Sequence, residues 1–198
     1  MTQVGNGLFD AKHPDEALSV QEAELSMRLR HGHPEIFLLI VKTNLSNSYS
    51  KMGRLEQALQ MDRDIYRGYA KLHGKQNADT LRAACNYANT LYDLRRWEEA
   101  RSMLRETVPV SQRVLGTDHA LTIKIRWVYG QSLYMDADAT LSDLREAVET
   151  FEEIKCTARR VFGGVHPLAT MIEDSLRPAR AALRAREAGH RVVFVKPK

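Results

Sequence analysis

The sequence predicts an all-α protein: an α-α superhelix, or solenoid, of about three full helical hairpins with a single flanking helix at each end. Three observations carry this expectation. Blocks of sequence recur every 42 residues, apolar residues within each half-block fall at helical intervals, and successive units close on a glycine in the same register. The block NLSNSYSKMGRLEQAL, from Asn44, returns 42 residues later as NYANTLYDLRRWEEAR, from Asn86. Asn44 pairs with Asn86, Asn47 with Asn89, Arg54 with Arg96, Glu56 with Glu98 and Ala58 with Ala100. A third copy opens at Val128 and keeps register to Tyr134. Five inserted residues then place Ala147 47 positions beyond Ala100. The closing segments MRLRHG, AKLHG, SQRVLG and ARRVFG share this ruler, with Gly32, Gly74, Gly116 and Gly163 separated by 42, 42 and 47 residues.

Taken in order, residues 1–13 read as a flexible segment and a lone helix follows near 14–30. Three hairpins come next, near 35–74, 78–116 and 119–163. In the first, Leu38, Val41, Leu45 and Tyr49 mark one apolar face; one repeat later Leu81, Cys85, Ala88, Leu91 and Tyr92 do the same. The second half of the first hairpin runs through Leu55, Ala58, Leu59, Asp62, Ile65 and Tyr69 to Gly74, where glycine can close a helix in the left-handed conformation. Arg67, Lys71 and His73 occupy its last turn, where positive charge suits the helix dipole. A last helix spans about 167–187, and a basic tail covers 188–198, with RVVFV (191–195) as a short extended stretch. Pro109 and Pro178 fall inside predicted helices and are expected to kink or break them. The expected core is Leu45, Tyr49, Leu59, Leu91, Trp97, Leu104, Leu133 and Val148, with Ala58, Ala100 and Ala147 permitting close helix crossings. The first helix has no partner before it, so the chain is expected to belong to a longer repeat array or to pair with another chain.

Composition fits a protein with a real core: 43 % of the 198 residues are hydrophobic and 27 % charged. The longest apolar window, IFLLIV at 36–41, is far short of the roughly 20 residues of a membrane span, so no membrane association is expected. No basic region followed by an apolar stretch marks a secretory signal. Cys85 and Cys156 then read as free thiols, which fits a cytosolic or nuclear setting, and a cytoplasmic location is expected. The net charge of +4 allows an acidic partner or nucleic acid but argues for neither alone.

Each chemical motif has a plainer reading. His31, His33 and Glu35 resemble a metal cluster, yet zinc needs three or four matched ligands, and neither Cys-x-x-Cys nor His-Glu-x-x-His occurs. His119 and His166 recur after Gly116 and Gly163, so these histidines read as helix entrances; in His33–Pro34 and His166–Pro167 the proline falls in a first helical turn. MDADATLSD (135–143) lacks the glycine and the bidentate glutamate of a calcium loop and reads as solvated loop. Gly68 through Gly74–Lys75 lacks the spacing and the preceding strand of a phosphate loop. No nucleophile–base pair stands out, so no catalytic residue, metal or cofactor is expected. Arg177, Arg180 and Arg184 share a helix face, followed by Arg186, Arg191, Lys196 and Lys198. They read as the polar face of a capping helix in preference to an RNA-binding surface.

The residues Asn44–Leu45–Ser46, Gly53–Arg54–Leu55 with Ala58, Asn86–Tyr87–Ala88 with Trp97 and Ala100, and Gly163–Gly164–Val165–His166–Pro167 resemble tetratricopeptide repeats. The 42-residue period resembles the variant found in kinesin light chains. The resemblance covers about residues 14–185; Arg95, which stands where the second repeat would have its loop glycine, departs from it. It implies a protein-interaction scaffold or adaptor without catalysis, whose first helix in each pair lines a concave groove for an extended peptide or a partner helix. It places Ile40, Asn44 and Asn47 of the first repeat, Arg82, Asn86 and Asn89 of the second, and Lys124, Val128 and Gln131 of the third on that groove. Asparagine amides can both donate to and accept from a peptide backbone, and Arg82 and Lys124 favour acidic segments. Tyr92, Trp127 and Tyr134 are expected to supply apolar pockets. The competing expectation is a basic helical-repeat protein that binds RNA or docks as a fixed subunit of a larger complex.

Overall fold

The computed structural model describes residues 14–190. They form eight helices: α1 (Pro14–Arg30), α2 (Glu35–Lys51), α3 (Leu55–His73), α4 (Ala78–Asp93), α5 (Trp97–Leu115), α6 (Ala120–Tyr134), α7 (Leu141–Phe162) and α8 (Pro167–Glu187). No strand occurs among the described residues; the segments expected to be flexible (1–13) and extended (191–195) lie outside them.

The joints explain why the helices stop and restart where they do. Gly74, Gly116 and Gly163 take positive φ (79°, 93° and 86°), each donating its N–H to a carbonyl of the preceding turn. Three residues later comes an N-cap. Asn77 Oδ1 accepts from the Asp79 N–H at 2.8 Å, and the Nδ1 atoms of His119 and His166 accept from Leu121 and Leu168, each at 3.1 Å. The repeated histidines are therefore capping groups. His33 belongs to a shorter joint, in which Pro34 holds the N-cap position without a side-chain bond. Arg95 adopts φ 60° where the first repeat has Gly53 at 75°, a conformation costing an L-residue about 1–2 kcal/mol.

Two expectations are corrected. Pro109 and Pro178 lie inside α5 and α8, yet neither ends its helix. Each removes one backbone donor, while buried neighbours on both sides, Thr107 and Ser111 in one case and Leu176 and Ala179 in the other, hold the helix by packing. Trp97, expected in the core, is half-buried at the start of α5. The other expected core residues are all buried, and Ala58, Ala100 and Ala147 are wholly inaccessible.

The helices form two compact units, one ending at Leu94 and the other beginning at Arg95. In the N-terminal unit α1, α2, α3 and α4 pack in sequence. Leu18, Leu45, Tyr49 and Ala58 form one apolar cluster, and Leu39, Ile65, Tyr69 and Ala83 another. A polar junction ties three of these helices. Asp62 of α3, 4 % exposed, accepts from Ser46 Oγ of α2 at 2.5 Å and from Thr90 Oγ1 of α4 at 2.7 Å. In the C-terminal unit α5, α6, α7 and α8 pack in sequence, and α6 also touches α8. There Phe151 is fully buried, edge-on to Tyr134 and against the bare face of Gly130.

The inserted segment is built in rather than loose. Arg186 of α8 donates to the carbonyls of Ala137 and Ala139 at 3.2 and 3.0 Å, and Thr140 with Asp143 forms a reciprocal capping box at the start of α7. Burial pushes the Asp143 carboxyl up, but its bonds from Thr140 and the charges of Arg101 and Arg105 outweigh that and hold it below its usual range.

Candidate peptide-binding cleft

In the N-terminal unit a cleft of about 210 Å³ opens between α2 and α4, floored by α3. It is lined by Ile40, Thr43 and Asn44 from α2, Tyr69 from α3, and Asp79, Arg82, Ala83 and Asn86 from α4. The helical register produces this wall. Ile40 and Asn44 lie one turn apart, as do Arg82 and Asn86, so each helix aims an ordered pair into the same space. Three of the residues expected on the groove, Asn44, Arg82 and Asn86, are thus brought together.

The cleft combines polar and apolar groups. The side-chain amides of Asn44 and Asn86 are half-buried and make no hydrogen bond among the described residues. Arg82 is exposed and only loosely paired with Asp79, at 3.4 Å. The Tyr69 phenol is pushed up by burial and by the Asp79 charge, against the opposing effects of Arg82 and a hydrogen bond with Thr43. Thr43 Oγ1 in turn donates to the Leu39 carbonyl at 2.8 Å. Chemically, the site offers a cation, two free amides and an apolar floor. Tyr69, Thr43 and Asp79 were not singled out from the sequence as groove residues. Tyr69 shows there only as a core position of its helix, and nothing in a linear pattern says that its ring edge floors a cleft.

Asn47 is exposed and Asn89 half-buried on the same helices, without side-chain hydrogen bonds among the described residues. In the C-terminal unit Lys124 is exposed, whereas Val128 is buried and Gln131 is 8 % exposed with its Nε2 donating to Ser175 Oγ at 3.0 Å. Trp127 Nε1 donates to the same oxygen at 2.9 Å. Tyr134 is a core residue rather than a surface pocket, and burial together with the neighbouring Asp93 pushes the Tyr92 phenol up to about 12. Of the arginines on α8, Arg180 pairs with Glu152 at 2.6 Å, Arg186 holds the inserted segment, and Arg177 lies 3.6 Å from Asp174. Arg191, Lys196 and Lys198 lie outside the described residues. No group of three or more His, Cys, Asp or Glu side chains among the described residues could hold a metal ion, and no described helix is long and apolar enough to cross a membrane.

Helices that repeat at a 42-residue period and pack in sequence within each unit, with small buried residues such as Ala58, Ala100 and Ala147, define a helical-repeat protein of the solenoid class. The model of the tetratricopeptide repeat family matches residues 37–109 and 79–154, more than half of the chain, and the chain belongs to that family. It is similar in fold to two crystal structures of nearly identical tetratricopeptide-like repeats from a Podosopora anserina protein described as a kinesin light chain. One, a substituted variant of those repeats, is 18 % identical with a TM-score of 0.78, covering 94 % of this chain and 86 % of that one. The other is 16 % identical with a TM-score of 0.76, covering 94 % and 87 %. BtubC (BKLC) from P. vanneervenii is 16 % identical with a TM-score of 0.61, covering 98 % and 82 %. The repeat architecture is thus of the kinesin-light-chain type. No curated protein matches the sequence.

Proposed function

We propose that this protein is a non-catalytic interaction scaffold that takes an extended peptide or a partner helix against the α2–α4 face, with a preference for acidic segments. Tetratricopeptide repeats in general mediate protein–protein interaction, and the finer reading rests on one observation. Two asparagine amides with no hydrogen bond among the described residues and a loosely held arginine converge on a cleft with an apolar floor. An extended backbone presents alternating donors and acceptors, which amides can meet in either sense. An acidic side chain would displace the weak Asp79 contact and gain a charge-assisted bond from Arg82. A cytoplasmic location accords with this role.

The test is titration of the full chain with an acidic peptide library, comparing wild type with the double variant Asn86→Ala/Arg82→Glu. Losing a charge-assisted bond and an amide bond should weaken binding by about tenfold or more. Unchanged affinity in the variant would remove the cleft from consideration.

A further inference from the structure

The 42-residue register, corrected for the five-residue insertion, lets the two units be compared position by position. Thr43, Asn44 and Asn47 of α2 correspond to Trp127, Val128 and Gln131 of α6, and Arg82 and Asn86 of α4 correspond to Met171 and Ser175 of α8. In the N-terminal unit Thr43, Asn44, Arg82 and Asn86 line an open cleft, and among the described residues the amides of Asn44 and Asn86 make no hydrogen bond. In the C-terminal unit Trp127, Gln131 and Ser175 are tied to one another, while the Met171 side chain stays exposed. Ser175 Oγ accepts from Trp127 Nε1 at 2.9 Å and from Gln131 Nε2 at 3.0 Å while donating to the Met171 carbonyl at 2.8 Å. Its hydrogen-bonding capacity is full. Ser175 is 5 % exposed and Val128 1 %, and α6 and α8 are in direct contact.

A second contrast lies beneath. The N-terminal junction of Ser46, Asp62 and Thr90 corresponds to Gly130, Phe151 and Ala179 in the C-terminal unit. Where the first junction uses a carboxylate and two hydroxyls to span three helices, the second fills the space with a phenyl ring. A Cβ on Gly130 would sit 2.8 Å from that ring. One junction is held by hydrogen bonds and the other by close packing.

We infer that recognition is confined to the α2–α4 cleft, and that the Trp127–Gln131–Ser175 tie makes the α6–α8 face a sealed counterpart that takes no ligand. This rests on the reading proposed above and sharpens it: the partner is engaged through one short acidic segment in the N-terminal unit, not through a ladder repeated along the chain. Lys124, although basic and exposed, then contributes to solubility and not to peptide binding.

The experiment uses the full chain, isotope-labelled for NMR, and N-acetyl-glutamate N-methylamide as probe, since this molecule carries one carboxylate between two peptide bonds. Titration should shift the side-chain amides of Asn44 and Asn86 and leave the Gln131 amide and the Trp127 indole in place, with that indole N–H slow to exchange with solvent. Arg82→Glu should weaken the shifts about tenfold, and Lys124→Glu should leave them unchanged. Shifts centred on α6 and α8, or a rapidly exchanging Trp127 indole, would overturn the confinement while leaving peptide binding intact. The absence of shifts in both units would overturn both this inference and the proposed function.

Discussion

At the scale of single residues, Asp62 is a buried carboxylate that ties three helices of the N-terminal unit. Burial pushes its carboxyl above the ordinary value, and the hydrogen bonds from Ser46 and Thr90 only partly offset this. Between the ordinary and the raised value, the folded chain holds a proton that the unfolded chain has released. Stability therefore falls as pH rises through that window and remains at the lower level above it. Asp62→Asn, which keeps an acceptor and cannot ionise, should lose this slope. In urea denaturation across the acid range, wild type should gain stability relative to the variant as pH falls; a constant difference would contradict the assignment. Asp62→Ala should cost about 1–3 kcal/mol, because two buried hydroxyls lose their best acceptor. In the sequence, Asp62 appears only as one member of an apolar stripe. The hydroxyl groups that justify it, at positions 46 and 90, come from two other helices.

At the scale of helices, two glycines inside helices face side chains of a neighbouring helix. Gly130 and Gly68 occupy different environments. A Cβ at Gly130 meets the ring of Phe151, which is fully buried and braced edge-on by Tyr134 at 5.8 Å between centroids. At Gly68 it meets the terminal methyls of Leu39, the nearest at 2.7 Å, and these can turn aside. Alanine gains about 1 kcal/mol of helix propensity over glycine at either position. Overpacking against the rigid ring, worth about 1–3 kcal/mol, should outweigh that gain for Gly130→Ala but not for Gly68→Ala. Denaturant midpoints should therefore drop for the first and stay within about 1 kcal/mol for the second, and Gly130→Ala/Phe151→Leu should recover most of the loss. Equal effects at both positions would show that Phe151 can move. The helix ends at Gly74, Gly116 and Gly163 were legible from the sequence because each depends on neighbours in the chain: a closing glycine and a period of apolar residues. Of the kink or break that local rules predicted at the two internal prolines, the break does not occur, because buried neighbours hold each helix together.

At the scale of the whole molecule, function turns on whether the positive charge or the shaped cleft dominates recognition. The net charge of +4 is modest, and arginines 180 and 186 on α8 are engaged by Glu152 and by the carbonyls of the inserted segment. Binding of an acidic peptide should then weaken only modestly, by less than about tenfold, between low and physiological salt. Binding to an RNA homopolymer that neutralises many phosphates would fall by several orders of magnitude. Tight, steeply salt-dependent RNA binding would favour the competing role. The sequence by itself determined the repeat period, the helical segments among the described residues, the glycines that close them and most of the buried face, because a helical repeat is specified by contacts only a few residues apart. It also named Asn44, Arg82 and Asn86. Only the tertiary structure decided that these three share a cleft while Gln131, at the equivalent of Asn47, is spent on Ser175. That difference depends on which side chain waits on the facing helix 44 residues away, and no periodicity along one chain segment can carry it.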